Sequence, residues 1–137
     1  MLGVAFGLGF TLTVTDAGAV FSVGYDRFGA LGHGSLETEV LPRRIDGLTQ
    51  TKRRFVAVAA GYHHALALTE EGELYEWGRE TVDGCGRVEP TPHQVTALVG
   101  QRVKLVCAGA LASCAVTEEG ELYTWGYGGL GGLGHGN

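Results

Sequence analysis

Three sets of residues in this chain are of types that perform chemistry, and their spacing decides what each could do. Cys85, Cys107 and Cys114, with His63 and His64, are candidate metal ligands. Zinc sites draw ligands from close pairs such as C-x-x-C or H-x-x-x-H, and no pair here has that separation. His64 could act as a base, but no recognisable motif sets a Ser or Cys nucleophile beside it. Gly126-Tyr127-Gly128-Gly129-Leu130-Gly131 has the G-x-G-x-x-G form that lets backbone approach a dinucleotide pyrophosphate. That chemistry needs a helix directly afterwards, because the helix N-terminus holds the phosphates, and six residues follow here. A glycine turn is the simpler reading. No catalytic, metal or cofactor site is expected.

Charge offers a different kind of site. Glu70, Glu71 and Glu73 recur as Glu118, Glu119 and Glu121, with Asp16 alone at the corresponding earlier place. Equivalent turns of a repeated structure lie on one side, so these six glutamates are the candidate partner-binding residues, suited to a basic protein surface. The plainer reading is a set of solvated turns. Basic residues are expected elsewhere: Arg43, Arg44, Lys52, Arg53 and Arg54 gather in one connecting stretch. The formal net charge of −5 argues against direct nucleic-acid binding, which draws mainly on phosphate neutralisation.

The elements that must carry these residues come in copies. Val58-Ala59-Ala60-Gly61 recurs as Val106-Cys107-Ala108-Gly109 and, earlier, as Val4-Ala5-Phe6-Gly7. TEEGELYEWG from Thr69 matches TEEGELYTWG from Thr117 and TDAGAVFSVG from Thr15. Gly18, Gly72 and Gly120 stand 54 and 48 residues apart, as do Gly24, Gly78 and Gly126. Gly29-Ala30-Leu31-Gly32-His33-Gly34 returns 102 residues later as Gly131-Gly132-Leu133-Gly134-His135-Gly136. The middle copy is worn to Gly84-Cys85-Gly86. Pro42-Arg43-Arg44-Ile45 corresponds to Pro92-His93-Gln94-Val95, and Leu48 to Leu98. A period near 50 residues is the signature of a repeat architecture. The chain is read as one segment, 1–137, with repeats at approximately 1–52, 53–100 and 101–137.

Each unit reads as short strands joined by tight turns. Ala65-Leu66-Ala67-Leu68 alternates small and large residues, Glu71-Gly72 is the expected two-residue turn, and Leu74-Tyr75-Glu76-Trp77 returns. No stretch sustains a helical apolar period, and 24 glycines against three prolines suit many short strands. In the repeat alignment Cys107 occupies the place of Ala5 and Ala59, and Cys114 that of Leu12 and Leu66. Both are therefore expected as small core residues, and an odd cysteine count without paired spacing fits a reducing compartment. The apolar run of residues 1–14 has no basic residue before it and has internal copies, so it is read as a strand pair and not as a signal peptide or membrane span.

A sheet of about 50 residues cannot cover both its faces, whereas sheets stacked radially cover one another. The expected fold is all-β: a partial β-propeller of antiparallel blades, an open arc of two complete repeats and a truncated third. The V-x-x-G-x-x-H strand, the T-x-x-G-x-[VL]-[YF]-x-W-G hairpin and the G-x-L-G-x-G loop resemble the regulator-of-chromosome-condensation repeat family. The family histidine is His64, with Phe10 and Ala112 in its place in the other copies, and Val23 replaces a tryptophan. Members of that family close about seven blades into a ring. The resemblance implies that this arc needs further repeats, or self-association, to cover its edges. It also implies a protein-interaction scaffold in the cytoplasm or nucleus. The alternatives are guanine-nucleotide exchange on a Ran-like small GTPase and substrate targeting within a ubiquitin ligase.

Overall fold

The computed structural model describes residues 3–26, 28–79 and 88–126. Among these residues eleven strands fall into three antiparallel sheets, each a simple meander. The first contains β1 (Gly3–Phe6), β2 (Phe10–Val14), β3 (Val20–Gly24) and β4 (Glu39–Arg44). The second contains β5 (Phe55–Ala60), β6 (His64–Thr69), β7 (Leu74–Arg79) and β8 (Val88–Gln94). The third contains β9 (Val103–Ala108), β10 (Ala112–Thr117) and β11 (Leu122–Gly126). Helix among the described residues is confined to α1 (Asp46–Thr49) and a 3-10 turn over Thr96–Leu98. Both occupy the connection between successive sheets and bury the paired leucines Leu48 and Leu98.

The alternation in β6 has a direct structural meaning. Ala65 and Ala67 pack toward the first sheet, with Leu12, Val14, Val20, Phe55 and Trp77. Leu66 and Leu68 face the other way and join Leu74 of the second sheet, Val95 and Leu98 of the connection, and Val103 and Ala115 of the third sheet. Two inter-sheet cores result, and each fully buried leucine contributes about 2 kcal/mol. Small residues on one face and branched ones on the other let successive blades nest. The innermost strands β1, β5 and β9 lie side by side. Backbone bonds link their loops in sequence: Leu8 N–H donates to the Tyr62 carbonyl at 3.2 Å, and Tyr62 N–H donates to that of Ala110 at 3.0 Å.

The hairpin turn differs from the sequence expectation. It is a three-residue loop, Glu70-Glu71-Gly72, in which Gly72 N–H donates to the Thr69 carbonyl at 3.0 Å. Thr69 N–H donates to the Glu73 carbonyl, and Glu73 N–H returns to Thr69 Oγ1, both at 2.9 Å. A type I turn followed by one left-handed residue produces this arrangement, and Gly72 supplies it with φ +90°. Thr15 and Thr117 repeat the bonding with Gly18 and Gly120. The threonine at the head of each motif is thus part of the turn.

At either end of the arc a sheet face has no neighbouring sheet among the described residues. Val4 and Phe6 are exposed on the first sheet, and Leu105 and Leu122 on the third. These are the counterparts of positions covered in the second sheet: Val4 corresponds to Val58, and Leu122 to Leu74. Among the described residues the partial propeller is open at both sides.

Candidate functional site

The six glutamates sit where the hairpins end. Glu70, Glu71, Glu118, Glu119 and Glu121 are exposed and Glu73 is half-buried, all on the turns between the second and third strands of their sheets. The connecting segments run along the same edge. Phe55 N–H donates to the Gly18 carbonyl and Val103 N–H to that of Gly72, each at 3.1 Å. Glu70 N–H donates to the Arg54 carbonyl and Glu118 N–H to that of Arg102, each at 2.8 Å. The first and second turns are therefore sewn to the strand that starts the next sheet, and the second and third also to the start of their own sheet. A Cβ on Gly72 would stand 2.6 Å from Arg102 Cγ, so this joint needs glycine for space as well as for its dihedral.

This geometry corrects the expectation that basic residues lie elsewhere. Arg53 pairs with Glu73 at 3.1 Å, and Arg102 pairs with Glu118. Arg54 donates to the Asp16 carbonyl, while Arg102 also donates to that of Glu70 at 3.5 Å. The edge is a mixed strip in which arginine stems cross from blade to blade between carboxylates. Solvent-exposed pairs of this kind add about 0–1 kcal/mol each, so their main effect is on charge pattern. Glu71 and Glu119, at the loop tips, point the strip's negative character outward.

The opposite edge holds a cluster that spacing did not reveal. Asp26 is buried, and its carboxylate accepts the Phe28 N–H at 2.6 Å and meets His63 Nδ1 at 3.0 Å. The Phe28 ring lies 4.4 Å from that of His63, and the Arg79 guanidinium sits 5.4 Å from the Phe28 ring centre. The only sequence signal was a charged residue two places beyond the strand-ending Gly24. The loop after it is anchored by Trp77, whose Nε1–H donates to the Ala30 carbonyl at 2.7 Å. Ser22 Oγ–H donates to the Leu31 carbonyl at 2.7 Å, and His33 Nε2 lies 2.8 Å from the same hydroxyl. His33 thus has a loop-holding role.

Cys107 is exposed and Cys114 half-buried, both on the uncovered face of the third sheet. This corrects the expectation of two core residues: the equivalent Ala59 and Leu66 are buried because the third sheet packs on them, and no sheet among the described residues covers Cys107 and Cys114. No group of three or more His, Cys, Asp or Glu that could hold a metal occurs among the described residues. Cys85, His135, the glycine motif beyond Gly126 and the loop copies at 84–86 and 131–136 lie outside them. Three surface clefts of about 180, 160 and 200 Å³ are smaller than the roughly 300 Å³ at which small-molecule sites begin.

His64 packs over Gly61, as Phe10 packs over Gly7. Burial lowers its pKa and the adjacent His63 adds to this, against opposition from the Ala112 backbone and Asp26. The Ala112 backbone favours the protonated ring, though Nε2 lacks a partner of full hydrogen-bond geometry. A lowered folded-state pKa means the unfolded chain binds the proton more tightly. Its contribution is complete above the unfolded value of 6.5 and declines as pH falls toward the folded value. Replacing His64 with Phe, the residue of the first copy, is expected to flatten the decline in urea midpoint between about pH 7.5 and pH 5. A slope from His33, lowered chiefly by burial, should persist. An unchanged slope would refute the assignment to His64.

Four-stranded antiparallel meanders, nested face to face around inner strands and laced turn to strand, define a β-propeller segment. The regulator of chromosome condensation (RCC1) repeat matches residues 17–68, and a second form of it matches 55–87 and 103–131. The chain belongs to that repeat family. It is 44% identical over 81 residues to the RCC1 domain-containing protein RUG3, mitochondrial, of Arabidopsis thaliana, covering 59% of this chain and 18% of that one. It is 36% identical over 107 residues to the E3 ubiquitin-protein ligase HERC2 of Homo sapiens, covering 75% of this chain and 2% of that one. Among solved structures, Prp20p from Saccharomyces cerevisiae, described with its binding to Gsp1p and histones, aligns with a TM-score of 0.82 at 25% identity. That alignment covers 97% of this chain and 34% of Prp20p. The chain therefore spans about a third or less of the proteins it matches.

Proposed function

We propose that this chain is one propeller segment, residues 1–137, of a protein-interaction module, and that its turn edge docks a basic protein surface. The observation that carries this reading is the rigid display of carboxylates: Glu70 and Glu71 stand on a turn hydrogen-bonded to the next sheet, and Glu118 and Glu119 on a turn hydrogen-bonded to the start of their own sheet. Preorganised charge raises association rate and selectivity more than it raises bulk affinity. Glu73 and Glu121 flank the same turns and complete the candidate surface. Further repeats, or a second copy, cover the outer sheet faces in this reading.

Histones are a suitable basic probe, because the similar Prp20p is described as binding them. Reversing Glu70, Glu71, Glu118 and Glu119 to Lys is expected to weaken histone binding about tenfold or more and to flatten its salt dependence. Unchanged affinity and an unchanged salt slope would overturn the assignment of this edge. A second reading, exchange on a Ran-like GTPase, is supported by the similarity to Prp20p, described as binding Gsp1p. Faster nucleotide release from such a GTPase in the presence of the protein favours it; an intrinsic rate favours the scaffold. Substrate targeting within a ubiquitin ligase rests on the similarity to HERC2 and is a form of the scaffold reading.

A further inference from the structure

A cleft of about 180 Å³ lies between the first hairpin turn, Ala17-Gly18-Ala19, and the connection to the second sheet, with Arg44, Thr49 and Arg53 around it. Both walls belong to the described segment, and the Phe55 N–H bonded to the Gly18 carbonyl at 3.1 Å holds them together. The same joint in the second repeat is Val103 on Gly72, so the two corners can be compared place by place. Arg44 corresponds to Gln94 and Arg53 to Gln101, while Ala17 and Ala19 correspond to Glu71 and Glu73. All four differences act in one direction: the first corner has gained arginines and shed glutamates. Asp16 is the one acid on its turn. Lys52, exposed next to Arg53, holds φ +58° where Gly100 has φ +90°, so a third cation is kept at a place that favours glycine.

Arg44 is exposed and makes no ion pair among the described residues, and Arg53 meets Glu73 through its Nε at 3.1 Å. A guanidinium carries five N–H donors, so one such contact leaves donors over for a ligand. Small-molecule sites begin near roughly 300 Å³, and this smaller cleft suits a single head group. We propose that it is an anion site for the phosphoryl group of a phosphorylated serine or threonine in a partner protein. Two arginines lining one small cleft favour that group over a carboxylate. One guanidinium fork satisfies a carboxylate, whereas a phosphoryl group brings three acceptor oxygens and a charge of about −1.5 to −2. The site goes beyond the glutamate surface, and its test leaves every glutamate in place.

The probe is N-acetyl-phosphoserine amide, titrated into the full isotope-labelled chain and followed by NMR at constant ionic strength. The amide signals of Ala17, Gly18 and Ala19 and the Nε–H signals of Arg44 and Arg53 should shift together and saturate. N-acetyl-glutamate amide should bind about tenfold more weakly or worse. Arg44→Gln and Arg53→Gln, which install the residues of the second repeat, should each weaken phosphoserine binding about tenfold. Their urea midpoints should stay close to that of the parent chain, because both side chains are exposed. The proposal is overturned by glutamate binding as tightly as phosphoserine, or by inorganic phosphate binding more tightly than either. Shifts that spread equally to Arg102, or Gln variants that bind like the parent chain, would also overturn it.

Discussion

Trp77→Ala is expected to lower the unfolding free energy by about 4 kcal/mol, whereas Trp125→Ala at the equivalent repeat position should lower it by about half as much. Trp77 is completely buried in the core between the first and second sheets. Its removal empties a large volume that β7, held by β6 on one side and β8 on the other, cannot move to close. It also strips the Ala30 carbonyl of its 2.7 Å donor. The loop around it is tight: a Cβ on Gly32 would stand 2.9 Å from the indole nitrogen. Trp125 has a comparable bond, Nε1–H to Glu76 Oε1 at 3.0 Å, but remains half-buried. Urea unfolding followed by far-ultraviolet circular dichroism measures both without relying on tryptophan fluorescence. Equal losses for the two variants would show that coverage by the neighbouring blade is not what sets the cost.

That contrast marks the boundary of what spacing can reveal. Glycines at 18, 72 and 120 and the leucines 48 and 98 recur because each repeat solves the same local problem, and the structure places them equivalently. The turn length was misjudged because Gly72 suits either a two-residue or a three-residue loop, and only the Thr69 bonds distinguish them. Arg53 and Arg54 were placed away from the glutamates, and Arg102 was not singled out, because their alignment with the turns depends on how one blade's first strand abuts the previous hairpin. Asp26 and His63 occur once each, in different repeats, and leave no periodic trace. Periodicity reports what is repeated within a blade. Contacts made between blades by single residues need the assembled fold.

The repeat glycine that precedes the histidine position gives the sharpest test of inter-blade packing, because three copies of one motif predict three different costs. A Cβ on Gly61 would stand 2.0 Å from His64 Cε1 and 2.6 Å from the Gly109 carbonyl oxygen of the next blade. His64 is buried and cannot swing away, and the carbonyl is backbone, so Gly61→Ala should destabilise by about 3 kcal/mol. At Gly7 the nearest obstruction is the Phe10 ring, 2.0 Å from the added atom, and about 2 kcal/mol is expected. At Gly109 nothing among the described residues lies within 4 Å, and Ala112 stands in place of the ring. Its backbone is not left-handed, so Gly109→Ala should be neutral or stabilise by up to about 1 kcal/mol through the unfolded chain. A double-mutant cycle separates the obstructions: Gly7→Ala should lose most of its cost in a Phe10→Ala background. Gly61→Ala should keep part of its cost in His64→Ala, because the carbonyl from the third sheet remains. If the three alanine variants unfolded at the same urea concentration, the glycine would be serving the strand alone, and the nesting of one blade on the next would have to be carried by other residues.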